Sequence, residues 1–265
     1  MVNYGTEQLL SLIARQAEVL KRVKSGGLSM KAALAGTQGT LDGIYPQFSL
    51  SPNYYDVSPA QLLEKVSAFL ELHGGGQEGF RPSDIPAVPN FTPRNKTELL
   101  LLAVYLPDKA GVQGFHRTFE AWWDFIVPPT HQTKWRWEGL RSDSKHLRLT
   151  EGIEYKSGIR WVYFDPNAYQ DKSPKDALAQ SASDGTTLAH AEVLMAIAQF
   201  SGWVSSWNGG KSPYPIMSGL QFYWNAVWSS VLHFRRLNAS RQLGLAVGSA
   251  VGIYRGCSSP VVRKG

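Results

Sequence analysis

The chain has 265 residues, of which 43% are hydrophobic and 18% are charged. This apolar content is enough for one sizeable core, and it excludes disorder as the overall state. The net charge is +6, yet Glu192 is the last acidic residue, and the 73 residues after it carry seven Lys or Arg. The single cysteine, Cys257, excludes both an internal disulfide and a cysteine-based zinc site.

The sequence predicts neither a signal peptide nor a membrane span. The first residues, MVNYGTEQ, lack the basic segment and following apolar stretch that a signal peptide requires. The longest apolar run, Leu99 to Leu106, has eight residues, whereas a helix that spans a bilayer needs about 20. We therefore expect no membrane insertion, and the localisation stays open, with display on a virion or a cell surface as one alternative.

The first part of the chain is predicted to be helical. Residues 6–24 place their apolar side chains in one stripe at the helical period, and this stripe either docks on the body of the protein or pairs with another subunit. A second helix is expected over 58–73, because Ser58 suits the N-cap and the following proline suits the first helical position. The glycines and prolines of 73–93 predict a linker.

The pattern of the chain changes after this linker. We therefore expect a helical N-terminal region over 1–94 and a second domain over 95–265. The elements expected in the second domain are, in chain order, a strand buried on both faces at 99–106, a helix at 115–126 packed against it, a strand at 159–164, a helix from Ser173 to about 182, a helix at 188–200, and short strands around 219–224, 228–235, 241–247 and 259–263.

Motifs that could support catalysis are incomplete. His190 and Glu192 match part of the zinc deaminase motif, but the cysteine pair that would hold the metal is missing. The segment 210–212 resembles the end of a phosphate loop, but the glycine needed five residues earlier is Ser205. The six histidines have no metal-binding spacing. We therefore expect no catalytic residue, no metal and no cofactor, and the protein is predicted not to be an enzyme.

The basic C-terminal third offers one alternative function. Cations without acids, beside aromatic residues, are the electrostatic pattern of nucleic-acid-binding proteins. The charges are sparse, however, and only Arg235 and Arg236 are adjacent. A modestly charged face is the favoured interpretation, and a basic nucleic-acid-binding module is the alternative.

The C-terminal sequence resembles a known family. Residues 212–263 read SPYPIMSGLQFYWNAVWSSVLHFRRLNASRQLGLAVGSAVGIYRGCSSPVVR. This stretch resembles the variable proteins made by diversity-generating retroelements, of the type found in archaeal viruses and small-genome prokaryotes. The specific combination is SGLQF, then Trp224 and Trp228, then R-x-L-x-L and a closing SPVVR. The resemblance extends upstream through LLLLAVYLPDKAG (99–111) and GIRWVYFDPNAY (158–169).

The resemblance implies an α+β fold, the C-type lectin fold, in the subclass shared with formylglycine-generating enzymes. The last strands and loops, about 219–258, would then form a face that binds a variable protein or another macromolecular ligand. In this family a reverse transcriptase acts on the gene, not on the protein, and randomises codons at adenines. The formylglycine-generating activity of the fold's relatives needs a pair of cysteines, and Cys257 stands alone, so the resemblance implies the fold without the activity.

A scaffold that tolerates such substitution must separate packing positions from display positions. The positions that look like packing are Phe222, Trp224, Trp228, Val231, Leu243 and Leu245. The positions assigned to ligand binding hold a mixture of aromatic, aliphatic, small and cationic residues: Tyr223, Asn225, Ala226, Val227, Ser229, Ser230, Leu232, His233, Arg235, Leu237, Asn238, Ala239, Ser240, Gln242, Gly244, Ala246, Gly248, Ser249, Val251, Ile253, Tyr254, Arg255 and Cys257. Binding surfaces selected from random pools favour Tyr, Ser, Gly and Asn.

Overall fold

The computed structural model describes residues 57–74, 80–127, 133–207, 213–237 and 242–264. The helix expected over 6–24 lies outside the described residues. From residue 57 onward, the described segments belong to one compact unit. This unit contains a few helices and two sheets of mostly antiparallel strands, which confirms the α+β class predicted from the sequence.

Short helices flank the sheets. They are α1 (Pro59–Phe69), α2 (Gly114–Phe125), α3 (Pro174–Asp184), α4 (Glu192–Gln199) and α5 (Ser201–Ser206), with a π-helical turn at Leu70–Gly74 after α1 and a 3₁₀ turn at Pro82–Asp84. Ser58 caps α1 as predicted, because its hydroxyl accepts the N–H of Gln61 at 3.3 Å. Ser173 caps α3 in the same way, through the N–H of Asp176 at 3.1 Å.

The strands are β1 (Leu99–Tyr105), β2 (Lys134–Arg136), β3 (Leu147–Leu149), β4 (Gly158–Asp165), β5 (Thr187–Leu188), β6 (Tyr214–Trp224), β7 (Val227–Leu237), β8 (Gln242–Ser249), β9 (Cys257–Ser258) and β10 (Val261–Lys264). The first sheet has the order β1-β4-β10-β5, and all its pairs are antiparallel. Every residue of β1 is buried, as its continuous apolar sequence predicted.

The second sheet has the order β2-β8-β7-β6-β3, and β9 pairs with β6 off this path. The long strands β6, β7 and β8 form an antiparallel meander, while the short β2 joins the edge of β8 in parallel. In the register of this edge, Lys134 lies beside Leu243 and Arg136 lies beside Leu245. Because β2 is only three residues long, it covers the edge of β8 over the same three positions.

Helix α1 shares its core with residues that follow the expected domain boundary near 95. Phe69 stacks on Trp122 with ring centroids 3.8 Å apart, and both side chains are fully buried. Trp122 in turn donates to the carbonyl of Val104 on β1 at 3.1 Å. The stretch before β1 is also held by the first sheet, since Trp161 donates to the carbonyl of Pro86 at 2.9 Å. The expected linker therefore packs along β4 over the part the structure describes.

The helix expected over 188–200 begins later than the sequence pattern predicted. Residues 187–188 form β5, and Ala189 donates its N–H to the carbonyl of Pro260 at 2.8 Å. The side chain of Glu192 accepts the N–H of His190 at 2.7 Å. Strand pairing and these hydrogen bonds hold the residues before 192 outside the helix, so α4 covers only Glu192–Gln199.

Candidate ligand-binding cleft

A tight hairpin connects β6 and β7. Trp224 pairs with Val227, and the two residues between them have positive φ angles, 50° at Asn225 and 64° at Ala226. Two left-handed residues define the turn whose twist matches that of paired strands, and Asn is favoured at its first position. The hairpin presents these side chains to solvent.

A cleft of about 450 Å³ lies between this hairpin, the end of β2 and the end of β8. It is lined by Trp135, Trp137, Trp224, Ser229, Ser230, Ala246, Val247, Gly248 and Ser249. Five of these, the three serines with Ala246 and Gly248, are positions that the sequence assigned to ligand binding. The lining combines three indole rings and small apolar residues with serine hydroxyls, so it offers both apolar contacts and hydrogen bonds.

Trp224, expected to pack in the core, is 42% exposed. It is the last residue of β6, and its ring meets that of Trp137 edge to face at 4.5 Å. Trp137 also contacts Phe222 with centroids 6.2 Å apart, which ties the pair to the core. Trp224 therefore forms a wall of the cleft.

The other expected packing residues divide into two groups. Phe222, Val231, Leu243 and Leu245 are at most 2% exposed. Trp228 is only half-buried. The guanidinium carbon of Arg148 lies 4.3 Å from the centroid of its ring, and the ring centroid of Tyr223 lies 5.2 Å away.

Most described side chains at the predicted binding positions reach the surface. The exposed ones are Asn225, Ala226, Val227, Ser229, Ser249, Val251, Ile253 and Arg255. The half-buried ones are Tyr223, His233, Gly248, Tyr254 and Cys257. For Arg235, Leu237 and Gln242 the structure describes the backbone in β7 and β8, and their side chains lie outside the described part. Asn238, Ala239 and Ser240 lie outside it altogether.

Four predicted binding positions are buried instead: Ser230, Leu232, Gly244 and Ala246. Strand β7 is an interior strand, and Val231 and Leu232 are both buried, so both of its faces are covered there. Leu232 is fully buried and faces Val247 across the ladder, while Gly244 and Ala246 lie on alternate positions of β8. Leu232 therefore shares the face of Leu243 and Leu245, which the sequence assigned to packing, whereas Gly244 and Ala246 lie on the opposite face, which the structure covers as well.

The cover over this second face is the loop between β8 and β9. Tyr254 stacks on His233 with centroids 5.8 Å apart and donates its hydroxyl to the carbonyl of Ser249 at 3.0 Å. The N–H of Gly256 donates to the carboxylate of Asp171 at 2.6 Å. This loop is thus fixed at both ends, and it leaves Val251 and Ile253 outside.

Cys257 at the end of this loop is not suited to nucleophilic chemistry. Burial, with a smaller contribution from the charge of Asp171, raises the pKa of the thiol to about 11. The thiolate, which is the reactive form, is therefore scarce near neutral pH.

The His190 and Glu192 pair is a buried structural cluster. His190 Nε2 lies 3.3 Å from Glu192 Oε1, and the Tyr105 hydroxyl donates to the same oxygen at 2.5 Å. Burial lowers the pKa of His190. Over the described residues, no group of three His, Cys, Asp or Glu side chains is placed to hold a metal ion.

Sequence reasoning missed Trp135, Trp137 and Val247 as cleft residues. The alternation of the two tryptophans with Lys134 and Arg136 was a visible signal of a short amphipathic strand. The partner of that strand, β8, lies more than a hundred residues later in the chain, and sequence alone did not show the pairing.

Comparison with protein-family models finds no match, and comparisons with curated proteins and with solved structures find no significant match. Among the described helices, none is long and apolar enough to cross a membrane.

Proposed function

We propose that the protein binds a macromolecular ligand through the cleft and the exposed residues of β6 to β9, and that a retroelement diversifies this face. The observation that carries the proposal is the placement of exposed hairpin and loop residues around a cleft whose supporting strands are anchored in the core. Asn225, Val227 and Ser229 are exposed, whereas Phe222 and Leu243 are fully buried. Such a division lets the surface change while the backbone stays fixed.

The proposed fold is the C-type lectin fold that the sequence resemblance implies. Two features support it: a mixed α+β unit with two antiparallel-rich sheets, and a ligand face built from the last strands and their loops. The proposed activity is recognition without catalysis. A stable protein interface buries about 800 Å² on each partner, so the ligand would contact the flanking hairpin and the 250–256 loop as well as the cleft.

The proposed diversification of this face can be tested by sequencing the genome. Sequencing around the gene is expected to find a reverse transcriptase gene and a near-identical repeat of the segment that encodes about 219–258, differing at adenines. The differing codons should include those of exposed residues such as Asn225, and they should spare Phe222, Leu232 and Leu243. A genome without such a repeat would overturn the diversification, and a repeat that varies the buried codons would overturn the proposed separation.

A basic nucleic-acid-binding module is the second candidate, favoured by one surface cluster. Arg148 lies over the half-buried ring of Trp228, and Tyr223 lies beside it. Cations with aromatic rings are the usual means of holding single strands. If this function holds, binding of an oligonucleotide should weaken steeply between low and moderate salt, and Arg148→Gln should reduce that slope relative to Lys156→Gln, a matched change at an exposed cation.

A further inference from the structure

A proline-rich segment before β1 lies against the first sheet, and we call it the strap. It spans residues 80–94 and reads FRPSDIPAVPNFTPR, with four prolines. After the 3₁₀ turn at Pro82–Asp84 it forms neither helix nor strand. Ile85 has φ −69° and ψ 120°, close to the polyproline II conformation, and each proline fixes its own φ near the same value. The strap is therefore an extended proline-rich segment.

Two aromatic side chains of β4 hold the strap by its carbonyl groups. Trp161 donates its indole N–H to the carbonyl of Pro86 at 2.9 Å, and Tyr163 donates its hydroxyl to the carbonyl of Asn90 at 3.2 Å. The two donors occupy alternate positions of β4, so they share one face of the sheet. Proline-rich segments are recognised in other proteins by grooves lined with aromatic residues, and this face has that composition.

A cation of β10 completes this face. Arg263 pairs with Tyr163 across the ladder, and its guanidinium carbon lies 3.6 Å from the centroid of the phenol ring. Phe91 of the strap stacks on the same ring, with centroids 5.3 Å apart. Arg263 also donates to the carbonyl of Thr92 at 3.1 Å, and its ion pair with Glu98, at 2.6 Å, involves no residue of the strap. The sheet therefore positions this third donor independently of the strap.

The strap is held more weakly than the sheet beneath it. Within the described part of the chain, no N–H of residues 86–93 donates to a backbone carbonyl. Ile85 and Pro89 are half-buried and the rest of 81–94 is exposed, whereas Trp161 and Tyr163 are each only 7% exposed. Segments with few buried apolar contacts open locally at low free energy, so we expect the strap to leave the sheet without unfolding it.

We propose that the face formed by Trp161, Tyr163 and Arg263 is a binding site for extended proline-rich segments, and that the strap is an autoinhibitory ligand which such a segment of another protein displaces. The strap itself shows what the site accepts, since three side chains of the sheet take its carbonyl groups. This site belongs to the first sheet and shares no residue with the cleft, so the inference does not rest on the proposed function.

The strap competes with any ligand from within the same chain. Before it, α1 is anchored by the stack of Phe69 on Trp122, and after it Glu98 is anchored by Arg263. A released strap thus stays tethered at both ends, and a tethered ligand acts at an effective concentration in the millimolar range. A proline-rich segment of another protein should therefore bind weakly to the wild type, and more tightly once the contacts of the strap are weakened.

The test uses the full chain and a fluorescent peptide with the sequence of residues 80–94. Its affinity is measured for the wild type, for Pro89→Glu, which places a charge at a half-buried position of the strap, and for Val88→Glu, a matched change at the neighbouring exposed position. Pro89→Glu should bind the peptide at least tenfold more tightly than the wild type, and Val88→Glu should resemble the wild type. Adding Tyr163→Phe to Pro89→Glu removes the hydroxyl that meets the strap and should weaken binding again.

A second measurement does not depend on whether Pro89→Glu folds. A fluorophore on Val88→Cys, in a chain that also carries Cys257→Ser, reports the mobility of the strap through its anisotropy. The unlabelled peptide should lower this anisotropy to a plateau, and a peptide with alanine in place of Pro86 and Pro89 should require at least tenfold more. An unchanged anisotropy, equal action of the alanine peptide, or no gain in affinity for a cooperatively unfolding Pro89→Glu would each overturn the inference. A dimer that forms by exchange of straps, detected by sedimentation, would also overturn it, in favour of a second copy of the chain.

Discussion

Trp137 and Trp224 meet edge to face with ring centroids 4.5 Å apart, and this pair joins the end of β2 to the β6–β7 hairpin. Edge-to-face packing places the positive ring edge of one aromatic residue against the negative face of the other. The contact lies on the wall of the cleft, where Trp224 remains 42% exposed. It therefore holds the wall of the cleft together at the edge of the core.

The exposure of Trp224 predicts a modest cost for its removal. Trp224→Ala should lower the free energy of unfolding by about 2 kcal/mol, because it removes the aromatic pair, worth about 1 kcal/mol, and the buried part of the ring, while 42% of the residue already contacts water. The matched change Trp122→Ala removes a fully buried indole and should cost about 3–5 kcal/mol. Urea denaturation of both variants measures the difference, and equal costs would contradict the exposed position of Trp224.

Local patterns were sufficient to predict β1 and α2. The continuous apolar run at 99–106 and the helical spacing of aromatic residues at 115–126 each depend on residues close in sequence, and both elements formed within one residue of the expected bounds. The parallel pairing of β2 with β8 joins distant segments, so no local pattern contains it. The position of Trp135 and Trp137 in the cleft follows from that pairing.

The assignment of buried and exposed positions failed where the second face of the sheet is covered. Alternation predicts which side chains share a face, but it does not predict what lies on that face. Tyr254, on a loop, stacks on His233 and covers Gly248 on the face where Ala246 is buried, although Ala246 was assigned to display. Leu232 is buried for another reason, since its register places it on the core face with Leu243 and Leu245. The location of a loop over a sheet is a tertiary property, which the spacing of residues does not encode.

Neighbouring positions on β7 should respond very differently to substitution. Ser229 is exposed, and Ser229→Ala should change the free energy of unfolding by no more than about 0.5 kcal/mol. Leu232 is fully buried, and Leu232→Ala should cost about 2–5 kcal/mol because it leaves a cavity. Urea denaturation of the two variants checks this. A large cost at Ser229 would show that the hairpin surface is part of the core.

Ala226 in the β6–β7 turn adopts a backbone conformation that is slightly unfavourable for alanine. Its φ of 64° lies in the left-handed region, which disfavours a residue with a β-carbon by about 1 kcal/mol. Ala226→Gly should therefore raise the free energy of unfolding by an amount of that order. Ala226→Val serves as the opposite control, since a branched side chain is worse there and should lower stability. Thermal denaturation that ranks the alanine above the glycine would contradict the left-handed turn.

Three buried or half-buried histidines predict that stability falls in mild acid. Burial lowers the pKa of His190, and it lowers the pKa of His73 and His116 as well. The unfolded chain, with an ordinary histidine pKa of about 6.5, therefore binds protons that the folded chain does not. The contribution of these histidines to the free energy of unfolding should be constant above this pH and should decrease as the pH falls below it.

The contribution of His190 can be separated through the slope of this dependence. His190→Gln cannot gain a proton, so its free energy of unfolding should decrease less steeply between about pH 7 and pH 5, the range where histidines titrate. The absolute stability of the variant does not enter, because only its change with pH is compared. Glu192 lies 3.3 Å from His190 Nε2 and favours the charged ring, which opposes the effect of burial. An unchanged slope in urea denaturation of His190→Gln would mean that this carboxylate cancels the desolvation of the imidazole.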